Sequence, residues 1–502
     1  MEQNTNANGS PKLHRVLGTW DLVLLNIAAI VTLRWLSTAA QIGPSSLTLW
    51  GLGLIAFFVP VALTVLELSS RLPGEGGLYL WSQAAFGDLH GFIAGWIYWI
   101  SNLVFFPSML LFGAGVFLYI GGDRWLMLAE SPLYNGAYCL ATLWFATLLN
   151  IVGLKRAKWL QNIGGIAAWT ATALVLAGGV VAWCEFGAAI PLTAAGLMPD
   201  FRSMATLASL ATIAFAYAGM ELGPIVGSEI KEPQKTIPCA ILISGALIAV
   251  IYMAGTAALL IALPAEHISL IGGIPQALAA VGERVGFPAF GAVTAGLIAL
   301  ASFGGIGAWI TGTARLPFVF GIDHYMPKPL AALHPKFGTP YVALLTQGVL
   351  TTIVLLAALS GSTIHEAFAV LINMTIILTF VPLFYIFAAL PTLRHRAAGS
   401  NEGITLIPGG AVVCWLASGI GFSTTLLAIG ISIIPPEDSN NPGLFLLKTV
   451  GGCLVLIAAG LVFYFRGHGT RARIVSEYYT SSKHNMQVTR GNKGLRALKY
   501  EK

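Results

Sequence analysis

Residues 20–42 read WDLVLLNIAAIVTLRWLSTAAQI, and residues 205–230 read ATLASLATIAFAYAGMELGPIVGSEI. Each stretch is long enough to cross the hydrocarbon of a bilayer, which takes about 20 apolar residues. Each also carries an ionisable side chain near its middle, Arg34 in the first and Glu221 in the second. Such a group at the bilayer centre costs at least about 2.5–3.5 kcal/mol, so it is expected to face a partner or a water-filled cavity. In the second stretch Gly219, Gly223 and Pro224 flank the acid. Proline removes a backbone donor and glycine weakens a helix, so unwinding is expected near Tyr217 to Leu222, with freed carbonyls and amides lining a site. Paired interrupted helices in corresponding positions of two halves are the sequence mark of a secondary transporter's binding site.

The rest of the chain repeats the apolar pattern largely without the charges. Spans are expected near residues 20–42, 47–70, 91–119, 134–153, 159–183, 205–230, 237–263, 288–314, 340–360, 364–390, 407–434 and 443–465. That is about twelve, bounded by charges, Pro or Gly. Interruptions in the first and sixth suggest two repeats of five with two helices appended. The division expected is an amino-terminal cytoplasmic segment 1–19, a first repeat 20–200, a second repeat 201–396, a carboxy-terminal pair 397–465 and a basic tail 466–502.

Composition agrees. Of 502 residues, 56% are apolar and only 10% charged, against about 25% charged in soluble proteins, so an aqueous surface for a fold this large cannot be assembled. Disorder needs low hydrophobicity and high net charge and is excluded as well. The first apolar run is too long for a signal-peptide core and has no small-residue cleavage site. Lys155, Arg156, Lys158, Lys231, Lys235, Arg315, Lys328, Lys336, Arg394 and Arg396 fall in loops of one side, with little beyond Arg124, Arg202, Arg284 and Lys448 on the other. The positive-inside rule then puts both termini in the cytoplasm. Much of the +6 net charge sits after Phe465, a juxtamembrane tail attracted to anionic lipid rather than a nucleic-acid surface. The five cysteines form no CxxC pair, and no HExxH occurs, so neither a metal nor a cofactor is expected. Asp21 and Glu67 lie near the inner ends of their spans, where capping or ion pairing suits them.

Two readings of the central charges stay open. Arg34 and Glu221 form a structural tie, or at least one of them titrates or contacts substrate. Tyr98 and Asn102, one turn apart on the third span, Trp309 in a glycine-rich stretch and Asn373 on the tenth are candidates for the pathway. Each has a packing role as its alternative.

Several fragments in order resemble the amino acid-polyamine-organocation transporter superfamily. They are Glu67-Leu-Ser-Ser-Arg71-Leu-Pro-Gly-Glu75-Gly76-Gly77-Leu-Tyr79 through Gly87; Phe215 to Glu221 followed by Glu229-Ile-Lys231-Glu-Pro233; and Ala314-Arg315-Leu-Pro317 with Asp323 to Pro327 and Thr339-Pro340. The resemblance implies an all-α integral membrane bundle of five-plus-five inverted repeats with two further helices, working by alternating access. It places a substrate carboxylate at Thr32, Leu33 and Arg34, and a substrate amine at Phe215, Ala216 and Ala218, with Phe215 also an aromatic gate. Glu221 matches an acid that some relatives use for proton sensitivity or for contact with cationic substrate. The first break is usually glycine-rich in the family but here is Thr32-Leu33-Arg34, so Arg34 either grips the carboxylate itself or pairs with Glu221. Some relatives carry a lysine inside the fifth helix; between Trp159 and Cys184 this chain has none.

The function expected is secondary transport of an amino acid or related amine across the bacterial inner membrane, with protons or a counter-substrate as partner. A polyamine or organic-cation transporter of the same fold is the alternative. An ion channel wants filter loops or rings of like charge, and an enzyme a nucleophile-base or metal constellation within the spans; the sequence has neither.

Overall fold

The computed structural model describes residues 15–74, 76–359, 364–396, 404–435 and 441–469. Most of the expected amino-terminal segment, Glu75 of the glycine-rich motif and the basic tail from residue 470 lie outside the described residues.

The protein is an all-helical membrane bundle. The first span is interrupted, as α1 (Thr19–Ile30) and α2 (Arg34–Ala40), bent by 45°. Then follow α3 (Ser45–Arg71), α4 (Leu78–Phe86), α5 (Asp88–Leu118), α6 (Pro132–Val152) and α7 (Leu154–Phe186). The second interrupted segment comprises α8 (Met204–Ala216) and the short α9 (Leu222–Ile225). After it come α10 (Pro233–Ala262), α11 (Gly273–Arg284), α12 (Phe290–Thr313), α13 (Arg315–Ile322), α14 (Tyr341–Leu359), α15 (Ile364–Arg396), α16 (Gly410–Ile433) and α17 (Pro442–Gly469). Among the described residues ten helices are long and apolar enough to cross a membrane, or eleven if α1 and α2 count as one span. The apolar α8 is shorter, because the chain leaves the helix at Tyr217.

Burial sorts these helices by position. From Gly91 to Leu118, α5 is enclosed on nearly every face, packed against α4, α12 and α15, as expected of a helix that is apolar all round. By contrast, α16 and α17 show Trp415, Leu416, Val455 and Phe465 outward, the surface that lipid covers. Lipid gives no hydrophobic drive for helices to associate, so close backbone approach supplies it. Gly164 of α7 and Gly304 of α12 meet so tightly that a Cβ on either would lie 2.5 Å from the other's Cα.

At the end of the bundle carrying most of the loop lysines and arginines, polar contacts join the segments. Leu17 and Ile230 form a parallel bridge, with the Lys231 amide donating to the Leu17 carbonyl at 2.9 Å. Arg315 grips both oxygens of Glu229 at 2.8 and 2.9 Å, with both side chains buried. Asp21 meets Lys158 at 3.1 Å. Glu67 takes Arg71 at 2.8 Å, Arg394 at 3.4 Å and the Ile407 amide at 2.9 Å, fastening the segment ahead of α16 to α3. Asp21 and Glu67 thus have the ion-pair roles their positions suggested.

Gly304→Leu forces α7 and α12 apart against backbone, where even ordinary overpacking costs about 1–3 kcal/mol. Loss of the monodisperse gel-filtration peak is expected. Gly296→Leu on the same helix has only one atom near its Cβ, at 3.8 Å, and should keep the peak.

Candidate functional site

The first break contains neither glycine nor proline. At Val31 the backbone takes φ −72° and ψ 80°, and the Thr32 amide donates back to the Ile30 carbonyl at 2.7 Å. This is an inverse γ-turn, in which a carbonyl due to serve the helix is taken by a nearer donor. The Thr32 hydroxyl donates to the same oxygen at 3.3 Å, the local competition that threonine offers a helix. The second break spans residues 217–221 and turns at Gly219, whose φ of +124° suits glycine. A Cβ there would also lie 2.9 Å from Ile30 and 3.2 Å from Trp309, so the two breaks touch at this glycine.

Their exposed carbonyls are served by side chains from neighbouring helices. The Tyr252 hydroxyl, on α10, lies 2.5 Å from the Ile30 carbonyl and 3.1 Å from the Ala216 carbonyl. From α12, the Trp309 indole donates to the Ala29 carbonyl at 2.9 Å. Between the breaks is a cavity of about 20 Å³, enough for about one water molecule. Six of the expected residues line it: Thr32, Asn102, Phe215, Ala216, Ala218 and Trp309. The Phe215 ring forms part of its wall, edge-on to Trp35 at 5.7 Å and to Phe105 at 5.6 Å.

The charged candidates stand beside this cavity. Glu221 is fully buried, accepting from the Tyr98 hydroxyl at 2.9 Å and from the Gly219 amide at 3.1 Å. Its hydrogen bonds come from these two groups and not from Arg34. The Arg34 guanidinium lies 4.1 Å from the centroid of the Trp35 ring and 5.3 Å from that of Phe105, with Nη1 3.5 Å from the Ser108 hydroxyl. Cation–π contact suits a guanidinium in this aromatic setting. Leu33 is the N-cap residue of α2, buried, and is not among the residues that line the cavity. Asn102 donates to the Tyr98 carbonyl one turn back, at 2.7 Å. Asn373 lies apart, in a pocket of about 350 Å³ between α8, α15 and α16. That pocket shares Thr212 with a space of about 40 Å³, which in turn shares Trp35 and Ala216 with the central cavity.

Sequence reasoning did not single out Tyr252, Trp35, Phe105 or Thr379, all of which border the breaks or the cavity. For Tyr252 a signal existed: it is the single tyrosine within α10, and a buried phenol needs a hydrogen-bond partner.

The chain belongs to the amino acid permease family, whose model matches residues 17–476. It is 31% identical to an uncharacterized transporter of Legionella pneumophila over 447 residues, covering 88% of this chain and 95% of that protein. From Lactococcus lactis, a "probable agmatine/putrescine antiporter AguD" is 27% identical, covering 76% of this chain and 82% of the relative. A glutamate/gamma-aminobutyrate antiporter of the same species is 25% identical, covering 77% of each. The family is one of multi-pass membrane transporters, and small solutes of the amino acid and amine class are what it moves.

Tyr98→Phe removes the stronger donor from a buried carboxylate, a loss of about 1.5–3 kcal/mol for a hydrogen bond to a charged group. A lower melting temperature is expected, and the Tyr98→Phe/Glu221→Gln double variant should lose less than the two single losses added. Simple additivity in the thermal melts would show that the two groups are not coupled.

Proposed function

We propose that this protein exchanges, or takes up with protons, an amino acid or related amine by alternating access. On this reading the substrate bridges the two interrupted helices. Its amine meets carbonyls near Phe215, Ala216 and Ala218, and its carboxylate the Thr32–Arg34 turn. The reading is carried by one observation: two helix breaks face each other across a cavity of about 20 Å³ lined by Ile30 and Ala216, residues whose backbone carbonyls accept from Tyr252. Unwound backbone in lipid is tolerated where it lines a cavity or is covered by protein.

Residues 20–200 and 201–396 act as the two inverted repeats, with 397–465 appended. The contacts at Glu229, Arg315, Leu17 and Ile230 form the inner gate, and Phe215 with Trp35 and Phe105 the barrier on the other side. The lysine and arginine asymmetry supports a bacterial inner-membrane location with cytoplasmic termini. Among the charged groups, Arg34 is the contact for a carboxylate and Glu221 the proton or amine acceptor, with Tyr98 reporting its state to α5. Only a difference in substrate affinity between the two facing states can drive the cycle. The two Lactococcus lactis relatives, one a probable agmatine/putrescine antiporter and one a glutamate/gamma-aminobutyrate antiporter, support exchange, and they leave an amino acid and a polyamine as the two substrate classes to separate.

Counterflow in proteoliposomes against amino acids, decarboxylated amines and polyamines, at two pH values, tests the proposal. Saturable exchange of at least one amino acid is expected, and transport restricted to polyamines would move the assignment to the alternative class. Arg34→Ala should weaken amino acids by about tenfold more than amines lacking a carboxylate, the loss of one charge-assisted hydrogen bond. An equal loss for both would leave Arg34 a structural role. Glu221→Gln should flatten the pH dependence of uptake, and an unaltered profile would remove Glu221 from proton coupling.

A further inference from the structure

We propose that Tyr252 is a positioning residue that holds the empty carrier shut, serving as stand-in for the donors that a substrate amine brings. The proposal rests on the transport reading above and adds to it the group that governs the ligand-free state.

The geometry sets one donor against two acceptors. A phenol has a single proton, yet the Tyr252 oxygen is within hydrogen-bond distance of the Ile30 carbonyl, at 2.5 Å, and the Ala216 carbonyl, at 3.1 Å. These belong to the last residues of α1 and α8, the two helices that end at the breaks. Closing the hydroxyl over both oxygens therefore brings both broken ends to one point on α10.

The ring itself has little freedom. It stacks on Trp50 at 4.4 Å with 14° between the planes, and meets Tyr217 nearly at right angles at 5.4 Å. Trp50 in turn donates from its indole to the Thr256 hydroxyl at 2.9 Å, one helical turn beyond Tyr252 on the same helix. With the phenol braced by Trp50 of α3, the breaks separate by movement of α1 and α8, and Tyr217 with them, away from it.

Such movement is required for any substrate to enter, because the cavity holds about one water. Opening pulls at least one carbonyl from the hydroxyl. In a loaded carrier an ammonium group, with three donors, replaces what the phenol surrenders, and the longer contact to Ala216 is the one given up. In an empty carrier Tyr252 is the donor that α10 brings to the Ile30 and Ala216 carbonyls, while Trp309 serves the neighbouring Ala29 carbonyl. Removing the hydroxyl thus penalises the empty closed state and spares the loaded one.

The test begins without substrate. In a background where the exposed Cys184 and Cys239 are serine, Ala218→Cys places a thiol in the central cavity. Its rate of modification by a small polar methanethiosulfonate reports opening of the empty carrier. Tyr252→Phe should raise that rate on the order of tenfold, the effect of one buried acceptor left unserved. Thr256→Val, which loosens the Trp50 brace, should raise it less and in the same direction, and serves if the phenylalanine variant does not fold. Equal rates in the folded variants and parent overturn the proposal, whatever the protein transports.

In vesicles, Tyr252→Phe should cut net zero-trans uptake about tenfold while leaving counterflow near the parent rate. A parallel fall of both assigns Tyr252 an ordinary packing role and also overturns the proposal. Should the parent carry no member of the substrate panel, the functional reading fails while the labelling comparison still decides the part played by Tyr252.

Discussion

A backbone amide or carbonyl in hydrocarbon has no water to turn to, and leaving it unserved costs several kcal/mol. A continuous helix meets that demand internally, so every interruption must be supported from elsewhere. In this protein the support defines the centre of the molecule. Thr32 bends back on Ile30, Tyr252 reaches from α10 to both breaks, Trp309 covers Ala29 from α12, and the Glu221 carboxylate accepts from the Gly219 amide within the second break. Helices surrounding the breaks are held in place by the hydrogen bonds they must supply.

The charged groups divide into two populations. At the end rich in lysine and arginine, Glu229, Glu67 and Asp21 are each paired with a cation, and these pairs join segments far apart in the chain. Removing one partner of such a buried pair leaves an uncompensated charge, so these contacts favour a particular arrangement of segments more than they add net stability. Near the centre the pattern is different. Glu221 is bonded to a phenol and an amide, and Arg34 lies against aromatic faces. A carboxylate without a fixed counter-ion is the kind of group that can respond to a proton or a bound cation.

Packing between the glycines of α7 and α12 has the opposite character. No side chain need be recognised there; the absence of one lets two backbones meet. That tight contact lies beside α1, where Gly305 of α12 approaches the Ala28 carbonyl, so a close-packed part of the bundle stands next to a helix that must rearrange for a solute to enter a cavity of about 20 Å³.

The membrane class, the order of the spans and the interruption of the sixth were legible in the sequence, because each depends on local composition: long apolar runs, and Gly219, Gly223 and Pro224 where the sixth span fails. The first interruption, without glycine or proline, was signalled by Arg34 and by the family resemblance. The family was legible in its fragments of loop and helix. What surrounds the breaks was not. Tyr252 lies in an apolar run and Phe105 in the middle of a buried helix, and neither differs by local pattern from a packing residue. Likewise, opposite charges at similar depth invited the pairing of Arg34 with Glu221, whereas rotation of the helices gives Glu221 to Tyr98 and Arg34 to Trp35. Hydropathy and helix-breaking residues act along the chain, and they determined which segments enter the lipid and where the sixth of them breaks. The partners of the freed carbonyls and buried charges depend on which helix faces meet, and that was decided only when the whole bundle packed.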